Sequence, residues 1–434
     1  MTREQLNWAG NITYGAARIH RPADVGELQE LVAGSDAVRA LGTRHSFNEI
    51  ADRPGGDLVS LENLPADFEL DPARGTVTVG GGVRYGELSR WLHDRGHALP
   101  NLGSLPHISV AGACATATHG SGVGNGNLAT AVSGLELVTA DGEITVLSRE
   151  KDGDRFAGAV VALGALGVVT RVVLDVVPAF EVRQYVYENL SWARMEEHFE
   201  EILSAAYSVG LFTGWTGSGI DQVWVKRRDG ESGPWEATPR WLGATAATAD
   251  RHPLPDMPAV NCTAQMGVPG PWYDRLPHFR LDFTPSSGEE LQSEYLLPRR
   301  HALAALRALD AAGDVIAPVL QISEIRTVAA DDLWLSTSYR EDAVAVHFTW
   351  KKDWPAVSRV IAVVEDLLEP FEARPHWGKL FLMGPERLES LYDRLPDFRR
   401  LAAELDPKGK FRNPFLDARV FGEAPIPDRS QPQP

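Results

Sequence analysis

Apolar positions recur at two spacings along the chain, and the switch between them divides it into elements. In residues 22–33, Val25, Leu28, Leu31 and Val32 share one face at helical spacing, Pro22 suits a first turn, and Gly34-Ser35 stops the run. Val38–Leu41 then reads as a short strand that feeds the loop 42–47. Residues 76–79 predict a further strand, followed by Gly80-Gly81-Gly82. Residues 85–94 predict a helix with Leu88, Trp91 and Leu92 inward and Gly96 as its stop. Residues 135–139 and 143–147 flank Asp141-Gly142, a hairpin signal. A helix over 155–163 and an apolar strand over 168–177 complete this unit, and Pro178 marks a domain boundary. Beyond it, strands at 223–226 and 279–283 mix with a helix at 301–311. The Pro/Gly/Ala-rich stretch 233–258 reads as an irregular surface insertion. The last part, 378–421, opens on a strand-like run and continues in short helices. The division is therefore 1–178, 179–377, 378–421 returning to the first unit, and a flexible tail 422–434.

Two runs alternate with period two. In residues 320–327, Glu324 and Arg326 project to one side. In residues 343–350, Val344, Val346, Phe348 and Trp350 form a bulky apolar face, while His347 and Thr349 share the other with two alanines. If the strands are neighbours, the four polar residues make one patch. The alternative is the solvent face of an antiparallel sheet.

Composition narrows the function classes. Hydrophobic residues at 44% and charged residues at 23% describe an ordinary globular chain of 434 residues, which excludes collagen, disorder and coiled coil. Forty-two basic against fifty-nine acidic side chains leave −17, which argues against nucleic acid or an anionic membrane as partner. Cys114 and Cys262 build no disulfide framework. Residues 1–10 lack the apolar stretch of a signal peptide, and no apolar run reaches the ~18–20 residues of a membrane span. These features lead to the expectation of a cytoplasmic protein, and the lack of heptads to that of a monomer. No G-x-G-x-x-G, G-x-x-x-x-G-K-[ST], G-x-S-x-G, H-E-x-x-H or C-x-x-C occurs, so no metal site is expected. The loop 42–47 could converge backbone N–H groups on an anion, and the small-residue segment 101–127 could lay its backbone against a ligand. Taken singly, each reads more readily as an ordinary packing or corner loop than as a binding loop.

Together these segments resemble a known family. Leu41-Gly42-Thr43-Arg44-His45-Ser46-Phe47-Asn48 is similar to the flavinylation loop of the vanillyl-alcohol oxidase superfamily, and the segment with Thr116-Ala117-Thr118-His119-Gly120 to the part that covers the flavin. Asn7-Trp8-Ala9-Gly10-Asn11, residues 105–112 and Pro375-His376-Trp377-Gly378-Lys379 resemble the alditol (xylitol/sorbitol) oxidases, and the likeness spans 7–415. It implies a two-domain α+β fold, with an FAD-binding domain of this type and a substrate domain built on an antiparallel sheet. It implies FAD bound covalently through His45 and held by Gly42, Thr43, Arg44, Ser46, Ser104, Ser109, Gly112, Thr116, Ala117, Thr118, His119, Val168 and His376. No Cys lies within 102–107, so a second, cysteinyl bond is not expected. Arg44 stands where the family often has small residues, and Ala117 where Gly is common. Ser104, Glu324, Arg326, Thr349 and Lys379 would bind the substrate, with Arg326, Lys379, His347 and Glu324 as the catalytic set.

A polyol needs a pocket of fixed donors and acceptors. Arg326 and Lys379 would favour the alkoxide of a terminal hydroxyl, Glu324 would accept from neighbouring hydroxyls, and His347 would take the proton or tune Arg326. The implied reaction oxidises the terminal hydroxyl of an alditol to the aldose and reduces dioxygen to hydrogen peroxide. Gly103 would leave open space for oxygen. The alternatives are a sugar-lactone oxidase or dehydrogenase of the same superfamily, and a polyol-binding flavoprotein without catalysis.

Overall fold

The computed structural model describes residues 5–217, 219–230, 235–255, 257–282 and 289–422. The chain opens with β1 (Arg18–His20), α1 (Val25–Gly34), β2 (Val38–Leu41) and β3 (Asp57–Ser60). The three strands pair in parallel in the order β1-β3-β2. α1 starts later than Pro22 because Asp24 supplies the cap, its carboxylate accepting from the Glu27 N–H at 2.9 Å.

Next come β4 (Glu69–Asp71), β5 (Thr76–Gly80), α2 (Tyr85–His93), β6 (His97–Ala98) and α3 (Val110–Ala115). They are followed by β7 (Val132–Val138), β8 (Ile144–Ser148), α4 (Arg149–Val160), β9 (Val168–Asp175) and β10 (Val177–Pro178). Five of these strands form an antiparallel sheet in the order β4-β5-β9-β7-β8, and β10 pairs with β6. The Asp141-Gly142 hairpin is present as β7–β8, with Gly142 at φ +84°. α4 begins six residues before the expected helix, because Ser148 caps it at Lys151 and Gly153, at φ 47° and ψ −116°, kinks it before the apolar turns. α3 is a helix that periodicity does not reveal, since its residues are nearly all small.

The remaining strands build one ten-stranded antiparallel sheet. They are β11 (Glu181–Leu190), β12 (Ser208–Thr213), β13 (Ile220–Arg228), β14 (Arg240–Trp241), β15 (Ala244–Ala246), β16 (Gly270–Pro271), β17 (Glu290–Pro298), β18 (Leu320–Val328), β19 (Ala343–Lys351) and β20 (Arg374–Pro375). The order is β14-β15-β11-β13-β12-β18-β19-β17-β20, with β16 against β11. Its apolar face packs under the helices Ala302–Ala311 and Trp354–Leu368. Val344, Val346, Phe348 and Trp350 are fully buried there, and the Phe348 and Trp350 rings stack at 4.9 Å. Each such aromatic contributes about 1.5–3 kcal/mol.

Three expectations change. Residues 279–283 do not form a strand: Phe279 makes an isolated bridge to Cys262, and Phe283 lies outside the described residues. The stretch 233–258 is irregular but contributes β14 and β15 to the sheet edge; residues 233, 234 and 256 lie outside the described set. After β20 no strand follows at 378–383; that run is irregular, tied to β17 by the Leu380 N–H on the Gln292 carbonyl at 2.9 Å. The C-terminal helices Pro385–Leu391, Leu395–Leu405 and Pro414–Leu416 lead back to the first unit. Asn413 Nδ2 donates to the Asp52 carbonyl at 2.7 Å, and Lys410 Nζ to that of Val32 at 2.6 Å. Residues 423–434 of the expected tail lie outside the described set. Among the described residues no helix is long and apolar enough to cross a membrane.

Candidate active site

A cavity of about 690 Å³ runs between the small-residue loops of the first unit and the polar face of the ten-stranded sheet. This volume lies within the ~300–1,000 Å³ of ligand clefts. Its upper wall is the loop after β2. The Trp8 N–H donates to the Arg44 carbonyl at 2.8 Å and Asn7 Nδ2 to the Ser46 carbonyl at 2.9 Å. From the other side, Asn48 Nδ2 donates to the carbonyls of Trp377 (2.8 Å) and Lys379 (2.6 Å). Two of the segments behind the sequence resemblance, 7–11 and 375–379, therefore grip the same loop. The third, 105–112, completes the wall: the Ser109 N–H donates to Thr43 Oγ1 at 3.2 Å.

His45 sits half-buried on this wall, stacked on Trp8 at 5.6 Å. Its Nδ1 meets Thr43 Oγ1 at 3.1 Å. That hydroxyl already accepts from Ser109, so its own proton is free for the imidazole. Burial, then the positive surroundings of His107 and Arg84, lowers His45 to about 4, which leaves the ring neutral and nucleophilic at pH 7. Two features of the wall suit an elongated, phosphate-bearing cofactor such as FAD. Among the described residues, the N–H groups of Thr43, His45 and Ser46 have no acceptor. Gly42 and Gly112 both face Ser109 Oγ, 2.9 and 2.8 Å from where a Cβ would stand, so side chains there would close the approach. Arg44 (φ 64°) and Ala117 (φ 53°), the two departures from the family pattern, both hold left-handed backbone.

The floor is polar and buried. On β18 and β19, Glu324 lies directly opposite His347, so the two alternating strands are neighbours and their polar residues share one face. That face is not solvent: Glu324, Arg326, His347 and Thr349 are at most 8% exposed. At its centre stands Glu294 of β17, 1% exposed. Lys379 Nζ donates to it at 2.6 Å and Arg326 at 3.1 Å; His119 Nε2 approaches to 3.3 Å. Burial alone would raise this carboxyl, but Lys379, His119 and Arg326 outweigh it and hold it well below the usual range. Glu324 behaves alike: burial raises it, Arg326 and His278 prevail, and it falls to about 2. Arg326 also donates to Ser104 Oγ at 3.1 Å. Lys379 Nζ donates to His347 Nδ1 at 2.8 Å, and His347 Nε2 meets Thr349 Oγ1 at 3.1 Å. Burial, then Lys379, lowers His347 to about 4, so the ring is neutral. Burial also lowers the Lys379 ammonium, with Glu294 opposing.

All the expected substrate and catalytic residues line the cavity, as do the expected cofactor residues apart from Ala117 and Val168. Those two are fully buried in the core, and Gly167 and Val169 carry the wall beside Val168. Sequence reading missed Glu294, Gln292 and His278, which also line it, and Gly81 and Gly82. Glu290, Gln292 and Glu294 alternate with apolar and small residues, the same signal that exposed Glu324 and Arg326. His278 carried no such signal, because it lies in an irregular segment. Among the described residues there is no group of three or more side chains suited to hold a metal ion.

A family model described as an FAD binding domain matches residues 16–148, and one described as D-arabinono-1,4-lactone oxidase matches residues 288–419. The chain is 54% identical to alditol oxidase of Streptomyces sp., over 96% of this chain and 99% of that protein. It is 30% identical to L-gulono-1,4-lactone dehydrogenase of Mycobacterium tuberculosis, over 96% of this chain and 98% of that protein. Among solved structures, cholesterol oxidase from B. sterolicum superposes with a TM-score of 0.76 at 13% identity, covering 96% of each chain; this likeness concerns the fold alone.

Proposed function

The chain belongs to the alditol oxidase family of the vanillyl-alcohol oxidase flavoproteins, and on that premise we propose that it oxidises the terminal hydroxyl of an alditol to the aldose, with dioxygen reduced to hydrogen peroxide. The observation that carries the reading is the meeting of Arg326 and Lys379 on buried Glu294, facing Glu324 across the cavity floor. FAD supplies the two-electron acceptor and the reactivity toward oxygen. Everything else falls to the protein. Arg326 and Lys379 stabilise the developing alkoxide. Glu324 and Thr349 orient the adjacent hydroxyls, and Ser104 is held in place by Arg326. The neutral His347 ring, whose Nδ1 stands 2.8 Å from Lys379 Nζ, takes up the hydroxyl proton.

His45 is the residue that joins FAD covalently in this reading, supported by its neutral ring, its Thr43 partner and its position on the cavity wall. Gly42–Phe47 and the segment from Ser104 to His119, with His376, hold the cofactor, and the backbone at Ala117 and Val168 shapes its wall. The first domain ends near 178 and receives the 378–421 segment, while 179–377 forms the substrate domain; the separate sheets on either side of Pro178 support this division. The reading extends to a cytoplasmic monomer, and the net charge of −17 weighs against polyanionic partners.

The test is an anaerobic visible spectrum before and after xylitol, then after air. Bleaching by xylitol and recovery with peroxide support the reading; a yellow protein that xylitol leaves unbleached refutes it. The lactone oxidase match over 288–419 makes an aldonolactone the second candidate substrate, and bleaching by a lactone but no alditol would select it. Flavin fluorescence that survives denaturation, and disappears in His45→Ala, tests the covalent bond.

A further inference from the structure

Behind the cavity floor lies a second lysine–histidine couple that the reaction scheme does not use. Lys226 on β13 is 2% exposed and is not part of the cavity wall. Its Nζ donates to the Leu276 carbonyl at 2.5 Å, the Pro277 carbonyl at 3.3 Å and His278 Nδ1 at 3.1 Å. Three acceptors match the three N–H bonds of an ammonium. With Nδ1 occupied as acceptor, the His278 proton stands on Nε2, which donates to Glu324 Oε1 at 2.9 Å. The rings of Trp224 (5.1 Å) and Phe212 (5.7 Å) box the imidazole edge-on, so it cannot turn away. Glu324 Oε2, 3.5 Å from Arg326 Nε, is the oxygen left for a ligand.

From this chain of contacts we propose that Lys226 is a positioning residue for the alditol oxidation: it fixes the tautomer of His278, and His278 in turn sets the Glu324 carboxylate as a hydroxyl acceptor. The proposal rests on the alditol oxidase reading. A buried carboxylate that receives one neutral N–H keeps acceptor strength for the substrate, whereas one facing an imidazolium would spend it on the ion pair. The charged groups acting on His278 are Lys226 on β13 and Glu324 and Arg326 on β18; His347 on β19 acts on Glu324 and the Cys262 thiol on Lys226, while β12 brings Phe212 and Gly210, where a Cβ would stand 2.8 Å from Glu324 Oε1. Burial holds His278 near 4; Glu324 opposes this and Lys226 reinforces it. Burial draws the Lys226 ammonium down to about 7, so it is charged at pH 6.

Lys226→Met removes the donor that holds His278 Nδ1 as an acceptor, and with it the hold on the tautomer whose Nε2 donates to Glu324. Expected at pH 6 is a KM for xylitol about tenfold higher, with kcat changed less than about threefold. The pH slopes should differ. The wild-type KM rises from pH 6 to 8 as Lys226 loses its proton; the variant KM, with no lysine to titrate there, stays flat. In a His278→Gln background, whose amide donates without titrating, Lys226→Met should cost less than about twofold. Lys226→Gln repeats the measurement if the methionine variant does not fold, as judged by the flavin spectrum. Parallel slopes, or an equal KM penalty in both backgrounds, overturn the inference alone. A wild type that no alditol reduces overturns the functional reading and this inference with it.

Discussion

Glu294→Gln removes one charge from the centre of the site and almost no volume. In the wild type this carboxylate faces Lys379 at 2.6 Å, Arg326 at 3.1 Å, His119 at 3.3 Å and His347 at 3.8 Å. Arg326 keeps Glu324 as a counter-charge, but Lys379 keeps only the neutral His347. Leaving a buried cation without its partner costs about 3–5 kcal/mol, and Lys379 limits the loss by giving up its proton. The sign follows from the lysine. Its folded pKa is already depressed, and it drops further without Glu294. A lysine that binds its proton less tightly when folded costs stability below its unfolded pKa, and the cost fades as pH rises towards that value. The stability gap between wild type and variant should therefore be about 3 kcal/mol at pH 7 and shrink by about 1.4 kcal/mol per pH unit up to pH 9. Thermal unfolding of both proteins at pH 7, 8 and 9 measures this. With the charge at position 379 lost, kcat for xylitol should fall about 10²–10³-fold. A variant as stable as wild type at pH 7, or a kcat within about threefold, would refute the view that Glu294 holds Lys379 charged.

Ala117→Gly should raise stability by about 0.5–1 kcal/mol in urea unfolding, because Ala117 is held at φ 53°, and no change or a loss would show that its backbone is not strained. Glu365, bonded by Tyr295 and the Leu382 N–H, is raised by burial to about 7, so its contribution is full below about pH 4.5 and is lost as pH rises through 7. Glu365→Gln should accordingly match wild type near pH 4.5 and exceed it by about 2–3 kcal/mol at pH 8; a constant difference would sink this account. At Gly103 an added Cβ meets ordinary contacts of 3.6 Å and beyond, so Gly103→Ala should fold unchanged while Gly103→Leu fills the cavity and slows reoxidation by oxygen. Stopped-flow reoxidation rates that do not differ among the three proteins would remove Gly103 from the oxygen path.

Local pattern carried a good deal of this protein. The hairpin at Asp141-Gly142, α2, and β18 and β19 follow from spacing and turn chemistry, because those interactions close within a few residues. Alternation alone paired Glu324 with Arg326 and His347 with Thr349, and the motif at His45 singled out the loop that forms the cavity's upper wall. What alternation could not settle was whether that polar face met water or a cavity. Only the packing of the β2 loop and the 101–127 segment over the sheet buries it, and burial is what turns ordinary ionisable groups into strongly shifted ones. Glu294 and His278 gain their importance in the same way. Each is an unremarkable polar residue in the chain, made decisive by partners 85 and 46 residues away, Lys379 and Glu324. Local periodicity cannot encode such distances, because the free energy of a buried charge depends on every group that replaces its water, and those groups meet only when the tertiary fold closes.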